Sequence, residues 1–455
     1  MNFWKQHAPE LVTDLYEFTM AASYWREKMF EEATFSLFVR DYPPRRAYFV
    51  AAGLEPLLET LLDFRMSSSS LEYLESTGIF PGEFLGYLED LRFTGTVRAM
   101  PEGRIFFADE PLLEIDAPII QGQLVETLVM NALHLDVLAA SKAARCVHAA
   151  GGRGIVDFSL RRTQGIDAGM KVARCSYMTG FQGTSNVLAG KVYSIPVFGT
   201  MAHSYITSFD HEMDAFSTYA RTFPDATVLL IDTYDTLSGA EKAVEIARRL
   251  EKQGKKLGGV RLDSGDLADL SRKVRRIFRD AGLEDVKILA SGGLDEYKVA
   301  DLLDAGAEID LIAIGSKLGV SADAPCLDMA YKLVEYKGRP VLKLSPGKRT
   351  WVGKKQVFRF HDKDGKMERD ILGLDSEDYA EGKPLLERVV VDGRLQRPLE
   401  SMEAVRRRFA REWESLPEPL RAIRPSCVYP VDASLALEKL EETVASEKER
   451  EEIRS

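Results

Sequence analysis

Cysteine is scarce in this chain: four residues, Cys146, Cys175, Cys326 and Cys427, are spread over 455 positions. They form no CxxC pair, which excludes a disulfide framework or a zinc cluster and fits thiols in a reducing compartment, with the cytoplasm as the default location. Long apolar runs are missing too. None reaches the ~20 residues that a membrane helix needs, and the opening stretch MNFWKQHAPELVTDLYEF lacks the apolar core of a signal peptide. Positive charge is in deficit: a net charge of -11 argues against a general binder of nucleic acid or of an anionic membrane. Any phosphate site must therefore be local. What is present is ordinary for a soluble globular enzyme, with 45% hydrophobic and 29% charged residues, well clear of the disordered class.

At this length two or three domains are expected. The first third reads as mixed α+β: a helical stripe over Asp14 to Trp25, a strand over Ala33 to Val39, a helix over Gly53 to Phe64 and short strands from Phe93 to Ile120. Tyr16 lies off the apolar stripe of the first helix. A long helical stretch, Leu124 to Ala150, follows. Beyond Gly151 short apolar runs, each with a polar or glycine-rich turn and then a helix, start at Gly154, Val197, Thr227, Gly258, Val286 and Leu311. That alternation implies a parallel sheet. Pattern alone does not separate a doubly wound sheet from a barrel; polar ends on run after run favour a barrel, whose rim collects residues from many strands. Strands resume after Met329, and helices are expected over Glu400 to Trp413 and Ser434 to Ile453. The expected divisions are residues 1–130, an N-terminal α/β domain; 131–345, an irregular TIM-like α/β barrel; and 346–455, a C-terminal extension of strands and helices available to pack with the first domain.

The most informative stretch is LGGVRLDSGDLADL, Leu257 to Leu270, a strand, a tight turn and a helix. Arg261, Asp263 and Asp266 stand at the strand's carboxyl end, where functional groups of parallel α/β proteins gather. Backbone amides, a guanidinium and carboxylates together suit a phosphorylated, polyhydroxylated ligand; an Asp and a Ser capping an ordinary helix is the competing reading. DFSLRR, Asp157 to Arg162, offers a ring and two guanidiniums, the requirements of an aromatic acid, though a core Phe and a surface Arg pair would look the same. GFQGTSN, Gly180 to Asn186, reads as a turn able to approach a flat ligand closely. His203, in GTMAHSY, combines a strand end with small neighbours, and His211 is its main rival. DTYD, Asp232 to Asp235, adds two carboxylates at a strand end. Ser291-Gly292-Gly293 and Gly315-Ser316 each follow an apolar run and lead into helical sequence, the usual way of building a phosphate cradle from amides.

Taken in order, TDLYEFTM (Thr13 to Met20), DFSLRRTQG, GFQGTSN, GTMAHSY, IDTYDT, VRLDSGDL, ASGGLDE and AIGSKLGV resemble nicotinate phosphoribosyltransferase, and the likeness extends to KKQVFR at Lys354 to Arg359. The resemblance implies an enzyme of NAD salvage joining nicotinate to phosphoribosyl pyrophosphate, with ATP hydrolysis coupled through a phosphohistidine at the position of His203, which gives it a ligase-type classification. It implies an irregular barrel with an additional α/β domain, and homodimers with shared sites. Phe158 would stack on the pyridine ring, Arg161 would hold its carboxylate, and Tyr16 would cover the other face from the partner subunit. Arg261 would contact the base and ribose, and Asp263 the ribose hydroxyls. Ser291, Gly292, Gly293, Gly315 and Ser316 would cradle the 5′-phosphate, with Lys332, Lys343 and Lys348 as looser matches to pyrophosphate contacts. Mg2+ and ATP would take part, with no tightly bound organic cofactor, no nucleic acid and no membrane; the magnesium ligands are not identified. Ser185 or Asn186 stands where the related nicotinamide enzyme has an aspartate, which favours the acid over the amide. A phosphosugar lyase or isomerase would use the same glycine turns but wants a strand-end base, for which Lys343 is the candidate. A non-enzymatic metabolite sensor would bind phosphoribosyl pyrophosphate without turnover.

Overall fold

The computed structural model describes residues 8–344 and 350–452. The chain divides into two compact units, one made of Met1–Ser141 with Cys326–Ser455 and the other of Lys142–Pro325. These divisions differ from the boundaries expected near residues 130 and 345. The long helix Glu126–Ala149 runs through the first of them without a break, so its apolar pattern gives no sign of a boundary.

The first unit is built on a seven-stranded antiparallel sheet whose spatial order is Arg339–Pro340, Met329–Tyr336, Glu32–Val39, Pro111–Pro118, Thr96–Ala99, Glu387–Val391 and Arg394–Leu395. Three strands from the beginning of the chain thus form the centre of the sheet, flanked on each side by two from its later part. Glu32–Val39 and Pro111–Pro118 are buried almost throughout although their sequences alternate apolar with polar residues: Thr34, Ser36, Glu114 and Asp116 are buried too, Thr34 donating to Asp116 at 2.7 Å and Glu114 pairing with Arg98 at 2.6 Å. A second sheet of four strands, around Lys355–His361 and Met367–Leu374, carries the C-terminal part. The run of four serines from Ser67 to Ser70 starts a helix: Ser67 caps Ser68–Ser76 by accepting from the Ser70 amide.

The second unit holds six parallel strands: β1 (Gly154–Asp157), β2 (Gly183–Thr184), β3 (Val228–Leu230), β4 (Gly259–Leu262), β5 (Lys287–Ala290) and β6 (Leu311–Ile314). Their spatial order is β2-β1-β6-β5-β4-β3. Helices connect them in the expected rhythm. Leu267–Asp280 buries Leu267, Ser271, Val274 and Phe278 on one face, and Asp266 starts it by accepting from the Ala268 and Asp269 amides. Thr236–Glu251 is started in the same way by Asp235, which accepts from the Ser238 amide.

The expected barrel does not close among the described residues. β3 pairs only with β4, and the other edge is extended past β2 only by an isolated parallel bridge from Thr184 to Val197. Closure requires a continuous ladder around the whole ring, and the short run at Val197 supplies a single pairing where a strand is expected. Conversely, Gly183–Thr184, inside the expected turn, is a strand. Among the described residues no helix is long and apolar enough to cross a membrane.

Candidate active site at the strand carboxyl ends

Sheet order converts distant segments into neighbours. Reading along the carboxyl ends, the turn after β2 carries Ser185, that after β1 carries Phe158, β6 leads to Gly315, β5 to Ser291 and Gly292, β4 to Asp263, and β3 to Asp232 and Thr233.

Arg261 and Asp263 form the centre. Both are on β4 or just beyond it, and a strand places residues two apart on one face. The Arg261 guanidinium donates from Nη2 to Asp263 Oδ1 at 2.7 Å and from Nε to Ser291 Oγ at 2.8 Å. Nη1 reaches Met201 O at 3.3 Å and Thr200 Oγ1 at 3.4 Å, and the cation lies 5.6 Å from the Phe158 ring centroid. A cation fixed against a ring by four separate contacts is planar, oriented and unable to swing away. Ser291 Oγ in turn donates to Asp263 Oδ1 at 2.5 Å. Burial pushes the Asp263 carboxyl up, but the hydrogen bonds from Ser291 and Arg261 and the charges of Arg261 and His203 outweigh it, so its pKa lies below the usual value. Asp263 is therefore a carboxylate.

His203 begins the helix His203–Thr207. Its Nδ1 is 3.1 Å from Thr233 Oγ1 and its Nε2 is 3.8 Å from Asp263 Oδ2, while 43% of the side chain stays exposed. The ring is thus oriented on one side and open on another. His211, by contrast, is the residue preceding the helix Glu212–Thr222 and is exposed.

The glycine turns behave as the sequence suggests in one respect and not in another. Gly292 has φ +96°, and a Cβ there would stand 1.9 Å from the Asp263 carbonyl oxygen, so only glycine fits. Gly293 follows at φ +63°, and Gly315 passes close to Phe158 O, 3.1 Å from where its Cβ would be. Ser316 opens the four-residue helix Ser316–Gly319. Ser291 needs a correction: its hydroxyl is engaged with Arg261 and Asp263, and its amide donates to Leu262 O, so it orients those two side chains and is not available as a phosphate donor. Asp266, expected at the ligand, is a helix cap.

Arg161 and Arg162 lie in the single turn Leu160–Arg162 after Phe158 and are both exposed. Tyr16, on Leu15–Arg26, is 46% exposed and belongs to the other compact unit. Lys332, on Met329–Tyr336, and Lys343, beyond Arg339–Pro340, are exposed and also belong to that unit, while Lys348 lies outside the described residues. Three residues without an assigned role in the sequence reading belong to the site. Asp232 accepts from the Asp263 amide at 2.8 Å and from Ser264 Oγ at 2.7 Å, Thr233 faces His203, and Asp157, next to Phe158 in the chain, accepts from the Ser159 amide at 2.8 Å. DTYD signalled a carboxylate, but nothing in the sequence says that Asp232 faces the rim while Asp235 caps a helix.

The fold and this rim define a class: a parallel α/β protein that gathers a stacked Arg–Phe pair, an ionised Asp, an open His and glycine turns at the carboxyl ends of its strands. Within that class the comparisons are specific. Models of the nicotinate phosphoribosyltransferase N-terminal domain and of the nicotinate phosphoribosyltransferase family match residues 11–134 and 154–354. A Mycobacterium tuberculosis nicotinate phosphoribosyltransferase is 48% identical over 94% of this chain and 92% of its own length, and that of Bacillus subtilis is 40% identical over 84% and 79%. The crystal structure of human nicotinic acid phosphoribosyltransferase superposes with a TM-score of 0.86 at 31% identity, covering 95% of this chain and all of that one (100%). The chain belongs to the nicotinate phosphoribosyltransferase family.

Proposed function

We propose that the protein is a nicotinate phosphoribosyltransferase of NAD salvage, forming nicotinate mononucleotide and pyrophosphate from nicotinate and phosphoribosyl pyrophosphate, with ATP hydrolysis coupled through phosphorylation of His203. The observation that carries the reading is the Arg261 guanidinium held over Phe158 beside an ionised Asp263.

The pyridine ring stacks against Phe158, with its carboxylate taken by Arg161. The pyridine nitrogen attacks the anomeric carbon as its bond to pyrophosphate breaks, and the electron pair of that bond leaves with the pyrophosphate. Positive charge grows on the pentose in between. Asp263, kept ionised by Arg261 and Ser291, stabilises that charge and accepts hydrogen bonds from ribose hydroxyls. The Gly292-Gly293 and Gly315-Ser316 turns, on adjacent strands, cradle the 5′-phosphate with backbone amides. A phosphosugar lyase or isomerase wants a strand-end base, and Lys343 lies beyond Arg339–Pro340 of the antiparallel sheet and not at an end of β1 to β6.

Magnesium accompanies the pyrophosphate in this reading. Among the described residues no group of three or more His, Cys, Asp or Glu is placed to hold a metal by itself, which suits an ion bound mainly through substrate oxygens and water. Asp232 is the carboxylate fitted to assist, because its buried Oδ1 has no hydrogen-bond partner. When bound, the ion neutralises charge on the leaving pyrophosphate. His203 takes the γ-phosphoryl group of ATP on a ring nitrogen, ADP leaves, and water later cleaves the phosphoramidate to phosphate. The added charge beside Asp263 favours a changed arrangement of the rim. The working unit is a homodimer, with Tyr16 of each copy completing the other's base pocket.

The deciding assay supplies phosphoribosyl pyrophosphate and magnesium with nicotinate, nicotinamide or quinolinate, with and without ATP, and follows mononucleotide and phosphate. Mononucleotide from nicotinate alone, increased by ATP, is expected. Binding of phosphoribosyl pyrophosphate with no product from any base would overturn the reading in favour of a sensor.

A further inference from the structure

Asp157 ends β1 and is 1% exposed, yet the hydrogen bonds it receives come from neutral donors. Its Oδ1 accepts from the Ser159 amide at 2.8 Å and its Oδ2 from Thr184 Oγ1 at 2.6 Å, while its carbonyl accepts from the Ser185 amide at 2.8 Å. Burying a carboxylate on neutral donors alone is expensive, and burial does push its pKa up against those hydrogen bonds. An apolar residue would fill a core strand end at lower cost. The carboxylate is therefore retained for what it joins.

It joins two turns. One carries Phe158 and Arg161; the other, which follows β2, carries Ser185, and the Thr184 hydroxyl at the end of β2 also accepts from the Asn186 amide at 3.0 Å. Thr184 thus gives its proton to Asp157 and takes one from Asn186. Asn186 in turn starts the helix Val187–Tyr193 by accepting from the Ala189 amide. The chain of bonds Ser159, Asp157, Thr184, Asn186 fixes the Phe158 turn and the Ser185 turn to each other, and a carboxylate accepts from both neighbours of position 157 at once. An asparagine that still accepts from the Ser159 amide would turn its NH2 towards Thr184, whose hydroxyl proton would then lose its acceptor.

We propose that Asp157, acting through Thr184, is a positioning residue that sets the spacing between the Phe158 stacking face and Ser185, and so selects the base without touching it. The inference rests on the function proposed above. Losing the strut should loosen the Ser185 side of the base pocket while leaving the phosphate turns: that at β5 faces β4, and that at β6 stays tied to β1 by the Phe158 amide, which donates to Ile314 O at 2.8 Å independently of Thr184.

The test uses the full-length protein with Thr184→Val, which removes the hydroxyl at nearly constant volume, Thr184→Ser, which restores it, and Asp157→Asn. For Thr184→Val and Asp157→Asn the KM for nicotinate should rise roughly ten- to a hundredfold, and the preference over nicotinamide should narrow. The KM for phosphoribosyl pyrophosphate should change by less than about twofold, and Thr184→Ser should recover nicotinate binding. If both KM values rise together, or if Thr184→Val alters only the melting temperature, the strut is structural and the proposal falls. Asp157→Asn failing to fold would not rescue it, because Thr184→Val reads the same strut. Wild-type protein that makes no mononucleotide would instead refute the function itself, and the base-selecting role with it.

Discussion

At the residue scale, the site is a set of polar groups that hold one another. Arg261, Asp263 and Ser291 lock together, so each side chain is paid for by its neighbours and the ligand meets an arrangement already formed. His203 is the exception, nearly half exposed and held on one nitrogen. That difference suits a residue that must be reached by a second substrate. Replacing His203 with Ala should abolish ATP hydrolysis while a slower, ATP-independent transfer persists; unchanged ATP consumption per mononucleotide in the variant would defeat the phosphohistidine. Much of this set was legible in the sequence, because Arg261, Asp263, His203 and Phe158 stand at the ends of apolar runs. Ser291 was legible as a rim residue but not in its role, since sequence does not tell a hydroxyl turned to a ligand from one turned to a neighbouring side chain.

At the element scale, strand and turn lengths decide what reaches the rim. β4 and β5 lie in register, with Leu262 beside Ala290, so their turns leave the sheet together. This is why Gly292 passes against the Asp263 backbone, and why its substitution should be severe. Gly292→Ala adds a Cβ 1.9 Å from the Asp263 carbonyl oxygen at a φ of +96°. Strain of this kind costs about 1–3 kcal/mol, and the turn must move to relieve the clash. Denaturant unfolding should show at least that loss, with weakened binding of phosphoribosyl pyrophosphate. Gly254→Ala, at φ +70° with nothing near, isolates the backbone contribution and should lose less. Helix positions were readable from apolar periodicity and caps. Gly183–Thr184 was not, because a strand of two residues carries no period.

At the scale of the whole molecule, one unit carries the rim and the other carries Tyr16 and a buried carboxyl beside it. Burial raises the pKa of Glu17 to about 7, with the neighbouring Glu126 and Asp14 adding to the rise and hydrogen bonds from Thr127 and the Asp14 amide opposing it. An unfolded glutamate titrates near ~4.3, so between the two values the folded chain binds more protons than the unfolded one. This contribution to stability is complete below ~4.3 and is lost as pH rises through about 7. Glu17→Gln should flatten the fall in melting temperature across that window, and an unchanged pH profile would show that Glu17 does not titrate there. The proposed exchange of Tyr16 between subunits is tested by mixing. Tyr16→Ala and Phe158→Ala variants, each inactive, should regain about a quarter of wild-type activity after subunit exchange, since half the dimers are hybrids and each hybrid has one intact site. No recovery would place Tyr16 and Phe158 in the same subunit or outside the site.

The sequence by itself determined the parallel α/β rhythm, the helix positions and most residues of the rim, because periodicity, glycine turns and strand ends are properties of neighbouring residues. Tertiary structure alone decided the rest. Sheet order made β1 and β6 neighbours, left the sheet open at β3, turned Ser291 onto Arg261, and set Asp232 rather than Asp235 at the rim. Those outcomes depend on hydrogen bonds between segments far apart in the chain, and no local pattern encodes which partner a strand edge or a carboxylate will find.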